Sequence, residues 1–100
     1  MTSFDIGQID EVIHGRMRLG IMAHLIRAKI ADFNELKTVL NATQGNLSVH
    51  LHKLGDAGYV QIEKGYLGQK PRTQVRLTTK GRKAFVAYLD AVERLVDNLR

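Results

Sequence analysis

The chain has 100 residues, of which 44% are hydrophobic and 25% are charged, and its formal net charge is +5. This length fits one small domain, residues 1–100, and the composition is typical of a folded globular protein. The absence of cysteine excludes disulfide scaffolds, thiolate zinc sites and cysteine nucleophiles. Short apolar stretches and an acidic N-terminus favour neither a membrane span nor a signal peptide, so we expect a cytoplasmic protein with no membrane partner.

Two helices are predicted in the first third of the chain. Residues 4–14 carry apolar side chains three and four positions apart, which predicts a short amphipathic helix that ends before Gly15. Residues 16–29 are apolar around most of a helical circumference. A helix with this distribution is normally buried on all sides, so we expect it at the centre of the domain.

A helix-turn-helix pattern occupies the middle of the chain. After a short extended segment at 30–33, Asn34 is a suitable N-cap for a brief helix over residues 35–40, and Asn41 can end that helix in the left-handed conformation. About three residues later a second helix begins, over residues 44–57. Two short helices joined by so few residues predict a helix-turn-helix.

The second of these helices has clear start and stop signals. Thr43 is a suitable N-cap, and Gly58 is a suitable C-terminal glycine. The helical spacing of three leucines predicts its buried face, which consists of Leu47, Leu51 and Leu54. Its other faces are therefore available to a partner.

The hydrophobic period then changes from that of a helix to that of a strand. Residues 59–64 and 73–78 alternate apolar and polar side chains, and the segment 65–72 between them holds two glycines and the only proline. This pattern predicts an antiparallel β-hairpin with a long, basic tip.

A last helix is predicted over residues 80–99, with Thr78 or Thr79 as its N-cap. Its apolar side chains follow a heptad spacing and comprise Phe85, Tyr88, Val92, Leu95 and Leu99. One small domain does not need so long a stripe, so we expect its far half to extend beyond the core. Combined with the first helix, the stripe predicts a symmetric homodimer interface that also contains Ile6, Ile9 and Ile13. Alternatively, both helices fold back onto their own domain.

The positive charge is concentrated in one segment. Residues 44–83 contain eight basic and two acidic side chains, a net charge of +6, whereas the other sixty residues have a net charge of −1. A concentrated positive field attracts polyanions, nucleic acid above all. On charge alone, a solvated surface with a chance asymmetry explains the pattern equally well.

The order of the elements is that of a winged helix-turn-helix, a mainly α fold with a small antiparallel β-hairpin. Two segments are more specific, Leu47-Ser48-x-His50-Leu51-x-x-Leu54-x-x-x-Gly58-Tyr59-Val60 and Leu77-Thr78-x-x-Gly81-Arg82-x-Ala84-Phe85. Through these two segments the chain resembles the MarR/ArsR-type winged-helix transcriptional regulators, especially the small members of about one hundred residues. The resemblance covers about residues 13–90. The resemblance implies a winged-helix core at about 16–79 and dimerisation helices at about 4–14 and 80–99.

In such regulators the second helix of the helix-turn-helix enters the major groove of DNA. The resemblance therefore implies DNA contacts from its outward-facing residues, which are Gln44, Asn46, Ser48, Val49, His52 and Lys53. The amides of Gln44 and Asn46 suit adenine, and Val49 suits a thymine methyl group. Relatives often have arginine or lysine at position 49, so valine there makes direct readout by this helix modest.

The hairpin, or wing, is expected to supply further contacts through its basic residues, which are Lys64, Lys70, Arg72 and Arg76. Arginine suits a narrow minor groove or a pair of phosphates. The alternative is a solvated hairpin whose charges prevent edge-to-edge association.

Metal and catalytic sites are not expected. His50 and His52 are two positions apart and so point in different directions on a helix, while His14 and His24 are separated by a helix break. His50 lies on the apolar stripe, where we expect a packed, hydrogen-bonded side chain. No nucleophilic triad spacing or glycine-rich phosphate loop occurs, so we expect no enzyme, no metal and no cofactor.

The sequence thus predicts a homodimeric regulator that binds double-stranded DNA and acts as a repressor by occlusion. The alternative is a winged helix that binds another protein, which Val49 and the single lysine of the recognition helix favour. RNA binding is a third, weaker alternative. The operator, the regulated genes and any small-molecule effector cannot be predicted from these residues.

Overall fold

A computed structural model describes residues 5–99 of the chain. Its elements follow in the order of a 3-10 turn (Ile6–Gln8), α1 (Arg16–Ala28), β1 (Ile30–Asp32), α2 (Phe33–Val39), α3 (Gln44–Asp56), β2 (Val60–Leu67), β3 (Lys70–Leu77) and α4 (Thr79–Asn98). The predicted winged helix, mainly helical with a small antiparallel sheet, is confirmed.

The sheet is antiparallel and has the strand order β1-β3-β2, with β3 in the centre. Ala31 of β1 and Ile62 of β2 lie opposite Val75 from its two sides. Because side chains alternate along a strand, this row and the neighbouring pair of Val60 and Leu77 face the core. The other face of the sheet is mostly polar.

The wing tip differs from the predicted long loop over residues 65–72. The two strands stay paired as far as Leu67 and Lys70, so only two residues form the turn. Gly68 has a φ of +65°, as the first position of a two-residue type II′ turn requires. The proline is tolerated because β1 ends opposite Gln74, which leaves β3 as an edge strand at Pro71.

The helix predicted over residues 4–14 is wrong. After the 3-10 turn, the chain forms turns as far as Gly15, and residue 4 lies outside the described residues. The Oδ1 atom of Asp10 accepts hydrogen bonds from the backbone N–H groups of Val12 (2.8 Å) and Ile13 (3.2 Å). Such a side-chain acceptor satisfies the backbone locally and so competes with helix formation.

Two tyrosines hold this N-terminal segment, residues 5–15, onto the domain. The hydroxyl of Tyr59 donates a hydrogen bond to Oδ2 of Asp10, and the hydroxyl of Tyr88 lies 2.9 Å from Nδ1 of His14. Burial, the hydrogen bond to Asp10 and the charge of Asp10 together raise the pKa of Tyr59 to about 12. Tyr59 therefore stays a hydrogen-bond donor at any physiological pH.

The core lies between the helices and the inner face of the sheet. Its fully buried side chains come from every α-helix, and α1 contributes Ile21, Met22 and Leu25. The prediction that α1 is buried on all sides is wrong, because Ala23 and Ala28 are exposed.

The ends of the helix-turn-helix follow local signals in the sequence. Asn41 has a positive φ of 50°, Gly58 has a φ of 80°, and Thr43 accepts a hydrogen bond from the backbone N–H of Asn46 at 3.2 Å. These predictions are confirmed. Helix α2 begins two residues before the predicted start, at Phe33.

α4 joins the hairpin through a tightly packed corner. The hydroxyl of Thr78 accepts a hydrogen bond from the N–H of Gly81 at 2.9 Å. It also points its proton toward the carbonyl oxygens of Gly58 and Tyr59, at 2.6 and 3.0 Å. A Cβ atom at Gly81 would lie 2.1 Å from the carbonyl oxygen of Tyr59, so only glycine fits there. The predicted N-cap at Thr78 is confirmed.

The far half of α4 extends beyond the core, as predicted. Its last buried residue is Ala91, whereas Val96 is 39% and Leu99 is 78% exposed. The radius of gyration is 15.2 Å and the longest dimension 61 Å, compared with a radius of about 13 Å for a compact domain of this length. α4 and the wing thus project from a small core.

Candidate nucleic-acid interface

α3 presents one continuous exposed face. Its three leucines are buried on the opposite side, which leaves the six predicted recognition residues together on this face: Gln44, Asn46, Ser48, Val49, His52 and Lys53. Val49 lies near its centre and is 54% exposed. All of them are exposed except Ser48, which is partly buried.

A cleft of about 220 Å³ separates α3 from the wing. Gln44, Ser48 and His52 line it from the helix, since residues four apart form one row. Lys64 and Thr73 line it from the hairpin, and its floor is apolar and consists of Phe33, Leu51 and Ile62. The structure thus joins Lys64 to the recognition face across this cleft.

Phe33 and Thr73 are functional candidates that the sequence did not indicate. The sequence pattern places Phe33 in the extended segment before α2 and Thr73 at the start of a strand. Their place in the cleft depends on the register of the sheet, which no local spacing reveals. The row of residues four apart on α3 was the one available signal for the cleft.

His52 has a defined tautomer in its neutral form. Its Nδ1 atom lies 2.8 Å from the carbonyl oxygen of Ser48, and a carbonyl can only accept, so Nδ1 carries the proton. Nε2 is therefore left as a hydrogen-bond acceptor on an exposed side chain. Such an acceptor suits the exocyclic amino group of cytosine or adenine.

His50 has a structural role, and the expectation of a packed, hydrogen-bonded side chain is confirmed. A guanidinium nitrogen of Arg18 donates to Nδ1 of His50 at 2.9 Å, which requires that Nδ1 be unprotonated. Burial, then the positive charges of Arg18 and Lys53, lower the pKa of His50 below its usual value. Arg18 also donates to the carbonyl oxygen of Val12, so one side chain ties α3 to the N-terminal segment.

The two predicted wing arginines are held by carboxylates on the outer face of the sheet. Nε of Arg72 lies 3.1 Å from Oδ1 of Asp32, and Nε of Arg76 lies 2.9 Å from Oε1 of Glu63. In the strand register these arginines lie on the face opposite to Lys64. The structure therefore does not bring them to the cleft.

The two predicted wing lysines are exposed. Within residues 5–99, no carboxylate lies within 4.0 Å of the ammonium group of Lys64 or Lys70. Lys64 lies on the α3 side of the hairpin, and Lys70 lies beside the turn on the outer side. Both ammonium groups can therefore take a phosphate without breaking an ion pair.

The predicted dimer residues separate into two groups. Ile9, Ile13, Phe85 and Tyr88 belong to the core of their own domain, with at most 8% exposure. For these four, the alternative of folding back onto the same chain is what the structure shows. Ile6 is 73% exposed, and the apolar residues of the α4 extension lie open or partly open: Leu89, Val92, Leu95, Val96 and Leu99. We call these last five the α4 apolar surface.

Neither a metal-binding cluster nor a membrane-spanning helix is found among the described residues. Residues 5–99 contain no group of three or more histidine, aspartate or glutamate side chains that could hold a metal ion. None of the helices in this part of the chain is long and apolar enough to cross a membrane.

Comparison with known proteins gives close relatives. A family model described as a winged helix DNA-binding domain matches residues 17–96. An uncharacterised protein of Methanocaldococcus jannaschii is 35% identical over 89 residues, which cover 89% of this chain and 97% of the relative. A transcriptional regulator homologue from Pyrococcus horikoshii OT3 superposes with a TM-score of 0.84 at 31% identity, over 90% of this chain and 89% of that one.

More distant structures share the fold. NadR in complex with 4-hydroxyphenylacetate has a TM-score of 0.71 at 22% identity, over 93% of this chain and 65% of NadR. An ArsR family transcriptional regulator, RHA00566, has a TM-score of 0.62 at 17% identity, over 97% of each chain, so the predicted resemblance is confirmed in the fold. This chain belongs to the winged helix DNA-binding domain family, and it is similar throughout its fold to transcriptional regulators.

Proposed function

We propose that the protein is a homodimeric transcriptional regulator that binds double-stranded DNA with α3 in the major groove. The observation that supports this most is the single surface formed by the exposed face of α3 and Lys64 across the cleft. Residues 44–55 contain no acidic side chain, and the one acidic residue of α3, Asp56, lies at its C-terminal end, far from the first turn. Amides, a hydroxyl, an imidazole and two lysines are the groups that read bases and hold phosphates.

Each residue of the α3 face has a role in this proposal. Gln44 and Asn46 lie in the first turn, which is the part of a recognition helix nearest the base edges. Val49 contacts a thymine methyl group, and Lys53 binds a phosphate. With one lysine in α3, much of the affinity has to come from the wing.

The wing contributes phosphate contacts from two groups of side chains, the lysines and the arginines. Lys64 and Lys70 have no carboxylate partner among residues 5–99, so they bind phosphates directly. Arg72 and Arg76 would first leave Asp32 and Glu63. Since pairs of partly exposed side chains stabilise a protein by only about 0–1 kcal/mol, a phosphate can replace either carboxylate.

We infer that the α4 apolar surface joins two copies of the chain. A two-fold axis there would place two α3 helices about 34 Å apart, which matches successive major grooves of a palindromic site. The described residues form a DNA-binding fold and the helix α4. A dimer of this fold can block access to the DNA that it binds, so we infer that it represses by occupying its site.

Selection of bound duplexes from a random pool, followed by binding titrations at several salt concentrations, tests the proposal. We expect an enriched palindromic motif and an affinity that falls steeply with salt. Lys53→Ala and Lys64→Ala should each lower the slope of log affinity against log salt by about 0.9 per subunit, or about 1.8 for the dimer. Arg27→Ala is the matched control, because it removes one exposed charge from α1, outside the α3 cleft.

An unenriched pool together with no duplex binding at low salt would contradict the proposal. That result would favour a protein-binding adaptor. The observation that supports this second function is the exposed apolar side chain of Val49 at the centre of α3. A stable complex with another protein that Val49→Glu abolishes would then be expected.

A further inference from the structure

The end of the wing carries an exposed aromatic side chain that the proposed function does not yet use. Tyr66 is 75% exposed, more than any other aromatic residue among residues 5–99. It lies directly opposite Pro71 in the strand register, so the two form an apolar pair. Because the core lies at the other end of the hairpin, this pair contributes little to the fold.

The strand register shows which side of the wing this pair occupies. Tyr66 and Pro71 are two residues beyond Lys64 and Thr73, which line the cleft with α3. Side chains two apart in a strand share a face, so Tyr66 continues the α3 side of the wing toward its tip. Leu67 and Lys70, the next pair, lie on the outer side.

The charge around this pair indicates the chemical class of the partner that it would contact. Residues 64–72 contain Lys64, Lys70 and Arg72 and no acidic residue. An aromatic ring within a cationic tip fits a polyanion that also offers apolar surface, which describes the sugars and base edges of DNA. Arg72 already has a partner in Asp32, whereas an apolar protein surface would leave the ammonium groups of Lys64 and Lys70 without one.

We propose that Tyr66, supported by Pro71, packs against the sugars of the minor groove next to the major groove that receives α3. This inference rests on the proposed function and adds a contact of a different kind. A lysine–phosphate contact releases counterions and depends on salt, whereas an apolar ring contact does not. The two kinds of contact can therefore be separated in one titration series.

The test measures the affinity of the full chain for a fluorescein-labelled, mixed-sequence duplex at several salt concentrations. Tyr66→Ala should weaken binding on the order of tenfold, the size found for aromatic contacts with nucleic acid, and should leave the salt slope unchanged. Tyr66→Phe should bind like the wild type because the ring is kept. Leu67→Ala is the matched control, since Leu67 is 65% exposed at the same tip but on the outer side.

Several results would overturn the inference. It fails if Tyr66→Ala binds like the wild type, if Tyr66→Phe is as weak as Tyr66→Ala, or if Leu67→Ala is equally weak. Lys64→Ala in the same series reports on the proposed function alone, through its lower salt slope. If the wild type does not bind the duplex, the proposed function and this inference both fail. Thermal unfolding curves that match the wild type show that each variant is folded.

Discussion

Two glycines with opposite surroundings show what a single methyl group does in this domain. A Cβ atom at Gly81 would lie 2.1 Å from a backbone oxygen, whereas one at Gly45 would meet nothing within 4 Å. Gly81→Ala has to push α4 away from the backbone of Tyr59, so we expect a loss of about 1–3 kcal/mol in the free energy of unfolding. Gly45→Ala should instead add about 0.4–1 kcal/mol, because it restricts the unfolded chain. Urea denaturation of both variants measures these changes, and equal stabilities would contradict the close approach at Gly81.

His50 makes the stability of the domain depend on pH. Its pKa is lowered in the folded state, so below about pH 6.5 the unfolded chain binds more protons than the folded chain. The contribution of His50 to the free energy of unfolding is therefore complete above about pH 6.5, and it is lost as the pH falls through the lowered pKa of the folded state. His50→Asn keeps an acceptor for Arg18 but cannot titrate, so we expect it to lose less stability between about pH 7.5 and about pH 5.5. Urea denaturation midpoints of both proteins at both pH values measure this difference. An identical loss of stability in both proteins would show that His50 is not the source of the pH dependence.

Individual side chains were predictable where their neighbours are close in sequence. The exposed face of α3 follows from the spacing of its three leucines, and the caps at Thr43 and Thr78 follow from the residue types. The partners of the wing arginines were not predictable. Arg72 meets Asp32 across 40 positions, and only the register of β1 against β3 brings them together.

At the level of elements, the start of α4 depends on one hydroxyl group. Thr78→Val would leave the N–H of Gly81 and the carbonyl oxygen of Gly58 without that partner. We expect a loss of about 1–2 kcal/mol, the usual cost of removing an N-cap, whereas Thr78→Ser should keep most of the stability. Denaturation and hydrogen exchange of the Gly81 amide measure the effect. Unchanged protection of that amide in the valine variant would show that another group caps the helix.

The wing offers a gain of function. Glu63→Gln releases Arg76 from its carboxylate and removes a negative charge from the hairpin. If the wing binds phosphates, duplex affinity should rise and the salt slope should steepen by about 0.9 for the additional phosphate contact of each subunit, or about 1.8 for the dimer. Asp90→Asn is the control, since it makes the same charge change on the exposed side of α4. An equal gain in both variants would mean that only the net charge matters.

The elements themselves could be predicted to different degrees. α3 and α4 have strong helical periods and clear caps, and both were placed to within a residue or two. The glycines and proline of residues 65–72 predict a loop, because both residue types are common in loops, yet an exposed ribbon at a sheet edge accepts both. In the N-terminal segment, the apolar spacing marked buried contacts of Ile9 and Ile13, while Asp10 closed a turn in place of a helix.

For the molecule as a whole, the α4 apolar surface predicts the state of association. The double variant Leu95→Glu and Leu99→Glu places two charges on a surface that its own domain does not cover. We expect half the wild-type mass in light scattering, together with weaker DNA binding. Asp97→Ala on the same helix is the control and should remain dimeric. A wild-type mass equal to that of one chain would contradict the dimer.

In the folded molecule, only part of the net positive charge is free of carboxylate partners. Residues 44–83 carry a net charge of +6 in sequence, but Asp32 from outside this segment neutralises one of its arginines. Among the basic residues of this segment that lie on α3 or the wing, three have no carboxylate within 4.0 Å in the described part of the chain: Lys53, Lys64 and Lys70. Charge alone could not reveal this, because the pairing depends on the fold.

The hydrogen bonds of the N-terminal segment set the time at which the domain can finish folding. Asp10 binds Tyr59, and His14 binds Tyr88, partners that follow 49 and 74 positions later. During synthesis, the beginning of the chain can form these bonds only once Tyr88, in the middle of α4, has left the ribosome. Arg18 of α1 binds both Val12 of this segment and His50 of α3. The part of the described chain that is synthesised first is thus among the last to reach its native contacts.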